Sequence, residues 1–201
     1  MLGRLLHPFL VLALLSLAAC GADAVGAVVG SGDVVARVGG VEGPVTERTA
    51  FGDGDALKTA SGAVVRVACG GSLSASSTVD GAPGQGLADV HLEPGTELRR
   101  RAGTAFDLVT GSLRLHAGPL KSRIVLFRGT TFLEIPTTNT SGVDLLAAAE
   151  GDVLTVTVRR GDVLLHSTGA TQSELHFVKL GPGESAAAAP GAEPERQDAA
   201  D

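Results

Sequence analysis

Apolar residues along this chain recur at every second position in short runs, and the runs are separated by clusters of Gly, Pro, Asp and Ser. That period of two is what a half-buried strand requires, whereas a helix would repeat its apolar positions at every third or fourth residue. The clearest case is Leu154-Thr155-Val156-Thr157-Val158-Arg159. Strands are predicted over Val34–Val38, Pro44–Thr49, Ala56–Lys58, Ala63–Cys69, Leu87–Leu92, Thr96–Arg100, Phe106–Leu108, Ser112–His116, Arg123–Phe127, Thr131–Ile135, Val153–Val158, Asp162–His166 and Leu175–Leu180. Val143 to Ala149 could make two helical turns, but it is read as a further strand. Arg160-Gly161 between two alternating runs reads as the turn of a β-hairpin. Leu175, Phe177 and Val178 are expected to be buried in a closing strand. The fold class is therefore all-β: one β-sandwich or β-roll of many short strands spanning residues 33–183.

The flanks differ in composition. Residues 1–19 read as a lipoprotein signal peptide, with Arg4 in a short n-region and a nearly continuous apolar run from Phe9 to Leu17. The run is too short for a membrane span of ~20 residues. Leu17-Ala18-Ala19-Cys20 resembles a bacterial lipobox, which makes Cys20 the lipid anchor. An ordinary signal cleaved near Ala19 is the alternative. Residues 20–32 are then the lipidated Cys20 and a flexible tether of small residues. Residues 184–201, rich in Ala, Pro, Glu and Asp with no apolar period, read as a disordered acidic tail. Gly70 to Gly86, with Asp80-Gly81 and Pro83-Gly84 as turn signals, reads as a surface loop.

Several segments together resemble the FecR-like domain of bacterial envelope proteins, which also forms the periplasmic half of iron-siderophore signalling regulators. They are Gly54-Asp55-Ala56-Leu57-Lys58-Thr59; Leu92-Glu93-Pro94-Gly95-Thr96-Glu97-Leu98; Phe106-Asp107-Leu108-Val109-Thr110-Gly111-Ser112-Leu113-Arg114-Leu115; Phe132-Leu133-Glu134-Ile135-Pro136-Thr137; Val156 to Leu165; and Val178-Lys179-Leu180-Gly181-Pro182-Gly183-Glu184. The Gly70–Gly86 loop and the position of Gly129-Thr130-Thr131-Phe132 depart from the family pattern. The resemblance implies a lipid-anchored, periplasm-facing interaction or sensing module with no catalytic residues to carry over. The outer membrane is favoured because Gly21 follows the cysteine. Direct anti-sigma control would need a cytoplasmic segment and a membrane span, and the few residues before the apolar run are too short for the first.

Charge and chemistry narrow the reading further. A net charge of -6 disfavours nucleic acid as a partner. Arg99-Arg100-Arg101 reads as a solvated strand end rather than a docking patch. Cys69, in a strand beside Ala68 and Gly70, reads as a buried, inert thiol. His91, His116, His166 and His176 lack the His-x-His pair of a cupin-like metal enzyme, the alternative reading, so no metal and no other cofactor is expected. Asp53-Gly54-Asp55 reads as a turn because Ala56-Leu57-Lys58 adds no calcium ligands. Gly84-Gln85-Gly86 lacks the rest of a phosphate loop. Ser72, Ser74 and Ser76 lack a nucleophile elbow. Asn139-Thr140-Ser141 is a glycosylation acceptor in form only. With no Trp or Tyr, Phe51, Phe106, Phe127, Phe132 and Phe177 are assigned to the core, and protein contact is the expected use of the surface. The partner expected is a protein of the envelope, with the membrane reached through the N-terminal lipid.

Overall fold

The computed structural model describes residues 25–45, 49–69, 73, 79, 81–169 and 174–197. Leu17, Ala18, Ala19 and Cys20 lie outside them, as does the signal peptide. The described chain is all-β, with strands β1 (Val25–Val38), β2 (Val41–Pro44), β3 (Thr49–Phe51), β4 (Ala56–Ala68), β5 (Leu87–Leu92), β6 (Glu97–Ala102), β7 (Ala105–Ala117), β8 (Ile124–Arg128), β9 (Thr131–Ile135), β10 (Val143–Glu150), β11 (Val153–Arg160), β12 (Val163–Thr168), β13 (Leu175–Leu180), β14 (Ser185–Ala188) and β15 (Glu195–Gln197).

Three long strands, β1, β4 and β7, each run through two limbs of one bent sheet. The first limb is ordered β2-β1-β4-β6-β7-β8-β9-β12-β13, using the C-terminal half of β1 and the N-terminal halves of β4 and β7. The second is ordered β3-β1-β4-β5-β7-β10-β11-β14-β15 and uses the complementary halves. All pairings are antiparallel except β7 with β8. The bend in β7 sits at Gly111, where φ is +83° and an added Cβ would lie 2.5 Å from Thr96 Oγ1 and 2.7 Å from Thr96 Cα. Thr96 Oγ1 donates to Ser112 O at 2.8 Å and accepts from Ser112 N at 3.2 Å, so its hydroxyl pins the bend. Just before it the register of β7 slips at Val109. The buried positions accordingly change parity, from Phe106 and Leu108 to Leu113, Leu115 and Ala117.

After β7 the chain lays down hairpins on alternate limbs: β8–β9 on the first, β10–β11 on the second, β12–β13 on the first, β14–β15 on the second. The Arg160-Gly161 turn is therefore not a hairpin, since β11 pairs with β10 and β14 while β12 pairs with β9 and β13. It is a crossing between limbs, and Asn139 holds it. The Asn139 Nδ2 donates to Pro136 O at 3.1 Å and Asp162 O at 2.8 Å, and Oδ1 accepts from Asp162 N at 2.8 Å. A Gly before a strand signals either kind of turn, and only the partner of the following strand separates them. The amide read as a formal glycosylation acceptor is buried and occupied.

The inner faces of both limbs enclose one apolar core, from Leu57, Leu98, Leu108 and Leu133 on the first to Val65, Leu115, Leu145 and Val156 on the second. Several expectations change in this frame. The stretch read as tether carries strand from Val25 onward, paired with β4. The stretch read as tail adds β14 and β15, because Ala186 and Ala188 alternate inward and small side chains suffice where β14 packs beside β11. Ala56–Lys58 and Ala63–Cys69 join into β4, and Phe106–Leu108 and Ser112–His116 into β7, since a bent strand hides its continuity in sequence. The run Pro44–Thr49 instead divides between β2 and β3, with 46–48 outside the described residues. Val143–Glu150 is strand, as read.

Candidate interaction surface

Strand alternation fixes which side chains leave the core on the first limb. On β8, β9, β12 and β13 the register sets Phe127 opposite Phe132, Phe132 opposite His166 and His166 opposite Phe177. The rings make one continuous row across four strands: centroids stand 5.4 Å apart for Phe127–Phe132, 4.4 Å with the planes nearly parallel for Phe132–His166, and 5.8 Å for His166–Phe177. Arg101 closes the inner end, its guanidinium carbon 4.1 Å from the Phe127 centroid while its Nε donates to Asp107 Oδ1 at 2.7 Å. The outer end is open. Phe177 is 61% exposed and Leu175, beside it on β13, 53%. Both were expected inside; alternation puts Leu180 in the core instead, at the end of an edge strand. Of the phenylalanines assigned to the core, Phe106 enters it, whereas Phe127 and Phe132 are half-buried on the outer face.

His166 behaves as the third ring of this row. Both ring nitrogens are buried without a hydrogen-bond partner among the described residues. Burial pushes its pKa down, against the opposing field of Glu134, whose Oε2 lies 3.7 Å from Nε2. At neutral pH the ring is therefore an uncharged aromatic, stacked on Phe132 with Phe177 tilted against its other side. Aromatic pairs of this kind add ~0.5–1.5 kcal/mol beyond area burial.

The outer face of the second limb is closed on itself. Arg66 grips Asp89 through two hydrogen bonds of 2.6 and 2.8 Å in a buried pair, and Arg66 also donates to Gly81 O at 2.8 Å. Arg114 grips Asp144 at 2.9 and 2.6 Å, and these bonds hold the Asp144 carboxyl below its usual range. Arg160 meets His116 Nε2 at 3.0 Å. A shallow depression of about 460 Å³ on this limb is lined by Glu93, Ser112, Leu146, Ala148, Thr155 and Thr157. It offers hydroxyls with no histidine beside them.

The remaining sequence candidates fall apart spatially. His91 and His116 lie on β5 and β7 of the second limb, and His166 and His176 on β12 and β13 of the first. Among the described residues no three His, Cys, Asp or Glu side chains converge as metal ligands. The Arg99-Arg100-Arg101 run is a solvated strand end only in part: Arg100 turns inward, 1% exposed, donating to Gly103 O at 3.0 Å, while the more exposed Arg99 meets Glu97 and Arg101 covers Phe127. Asp55 accepts from Gly52 N at 2.7 Å and Gly39 N at 2.9 Å, the turn that was read there. Cys69 is buried, and burial pushes its thiol up to about 12. The signal that could have located the row was the pair Phe127 and Phe132, equidistant across the hairpin turn Gly129-Thr130. The contribution of His166 and Phe177 needed the β9–β12 and β12–β13 register.

No family model matches the chain, and no curated protein matches it. Among solved structures it is similar to a candidate anti-sigma factor from Parabacteroides distasonis, with 14% identity and a TM-score of 0.41 over 74% of this chain. The match spans 59% of that protein's length.

Proposed function

We propose that this chain is a non-catalytic protein-interaction or sensing module of the bacterial cell envelope, held to a membrane by lipid on Cys20 and facing the periplasm. The observation that carries the interaction reading is the aromatic row from Phe127 to Phe177, which ends in two large exposed apolar side chains on a strand at the sheet edge. Aromatic side chains on a rigid sheet offer large contact area at small entropic cost, and they dominate the energetics of protein contacts. The envelope address rests on the apolar run Phe9–Leu17 and the lipobox-like Leu17-Ala18-Ala19-Cys20, and on the FecR-like motifs quoted above.

A photo-crosslinking residue at position 177 of the full chain, produced in bacterial cells, should form a covalent adduct with a protein, whereas the same residue at position 157 on the second limb should not. Adducts at 157 alone would overturn the reading. The anchor is tested separately: Cys20→Ala should leave unprocessed precursor, and identical processing and lipid labelling of the variant would refute lipidation at that residue.

A further inference from the structure

We propose that the partner engaged by this surface is a second copy of the chain, joined by antiparallel pairing of β13 with its symmetry mate, centred on Phe177. The inference rests on the interaction reading above and specifies its partner. Three observations lead to it.

The first is a contrast among the free edges. A sheet edge invites another strand, and proteins blunt it with short strands, charge or proline. Here β2 is four residues long and ends in Pro44, β3 has three residues, and β15 is Glu195-Arg196-Gln197, charged and three residues long. β13 has six residues and no proline, and two of its three outward side chains are Leu175 and Phe177. Lys179, the third, is held by Asp162 at 2.7 Å.

The second is the direction of the backbone groups. Gly169 N donates to Glu174 O at 2.6 Å, which sets the parity of the β12–β13 ladder. Glu174, His176, Val178 and Leu180 direct their peptide groups to β12, and Leu175, Phe177 and Lys179 direct theirs outward. Arg196 Nη2 donates to Lys179 O at 2.8 Å, as that parity requires. The peptide groups of Leu175 and Phe177 have no partner among the described residues.

The third is self-complementarity. A two-fold contact must fit itself. Antiparallel pairing centred on Phe177 matches every outward residue with an outward residue: Phe177 with its own copy, exchanging two hydrogen bonds, and Leu175 with Lys179 of the other chain, whose carbonyl retains a second lone pair beside the Arg196 bond. Because opposite residues share a face, the aromatic row would continue through the two-fold axis into its copy.

Cysteine trapping in cells tests this on the full chain. The Cα atoms of a hydrogen-bonded antiparallel pair stand ~5.5 Å apart, inside the ~4.4–6.8 Å range of a disulfide. Phe177→Cys should therefore give, under mild oxidation, a reducible species of twice the mass of the processed monomer. Thr157→Cys, which carries the same Cys20 and Cys69, should give none. In detergent, light scattering should find the wild-type chain as a dimer, and Phe177→Lys should weaken self-association roughly tenfold or more by placing like charges opposite each other and removing the ring pair. Position 177 is exposed, so the Phe177→Lys fold is checked by its far-UV dichroism, and Leu175→Lys serves as a second variant. A monomeric wild type, or a dimer that neither substitution weakens and Phe177→Cys does not trap, overturns the proposal. If the chain is monomeric while position 177 still crosslinks to a different protein, the self-pairing fails and the interaction reading stands; with no adduct of any kind, both fail.

Discussion

Asn139→Ala should destabilise the fold far more than its place in a loop suggests. The side chain makes three hydrogen bonds to backbone groups of two different crossings, Pro136 O on the way from β9 to β10 and both peptide groups of Asp162 on the way from β11 to β12. A hydrogen bond contributes about 1 kcal/mol net, and a buried group left without a partner costs ~1–3 kcal/mol. Asp162 and Pro136 are half-buried, so water relieves part of that cost and the lower end applies, giving about 3 kcal/mol for the three bonds. That is a large share of the ~5–15 kcal/mol that holds a domain together. At ~2–4 °C per kcal/mol for a chain of this size, the midpoint should fall by roughly 6–12 °C. Thermal melting and urea titration, both followed by far-UV dichroism, measure the shift and the free energy, since the chain has no Trp or Tyr to report by fluorescence. Asn139→Asp sharpens the argument. It keeps the acceptor for Asp162 N but turns a carboxylate toward two carbonyl oxygens, which raises its folded pKa, so this variant should regain stability as the pH falls through that raised value. An Asn139→Ala protein within about 0.5 kcal/mol of wild type would refute the idea that this amide fastens the limb crossings.

Three further outcomes are expected. Gly111→Ala should cost several kcal/mol or abolish folding, because φ is +83° and the new methyl would meet Thr96 backbone at 2.7 Å; an unchanged urea midpoint would contradict the bend as drawn. Asp89→Ala should destabilise by ~3–5 kcal/mol by leaving Arg66 buried without its carboxylate, and a joint replacement of Arg66 and Asp89 by apolar residues should recover much of the loss; equal losses in the single and joint variants would argue against the pair. His166 has its pKa lowered by burial, so the unfolded chain takes up the proton first. Its contribution is intact above the ordinary histidine pKa and is lost as the pH drops from there toward the lowered folded value, a slope that His166→Phe should flatten when stability is measured from pH 7 to 5.

Much of this molecule is local chemistry, and the sequence alone determined it. Alternation places Leu154, Val156 and Val158 in the core and Thr155 and Thr157 outside, because a strand's side chains alternate whatever lies beyond it. Leu87–Leu92, Thr131–Ile135 and Leu175–Leu180 were bounded at their observed ends by turn residues. Cys69 was legible as a buried thiol from its apolar run. What tertiary structure decided is everything that depends on which strand lies next to which. Gly161 could begin a hairpin or cross between limbs, and the choice fell to Asn139, over twenty residues earlier in the chain. Ala186 and Ala188 look too small to anchor a strand until β11 is beside them. Phe177 is an apolar residue in an alternating run, which predicts burial; the β12–β13 register instead sets it on the outer face opposite His166, and β13, at the end of the sheet, leaves its other side without a flanking strand among the described residues. The aromatic row has the same origin, since Phe127, Phe132, His166 and Phe177 are scattered over fifty residues of sequence and become neighbours only through the register of four strands.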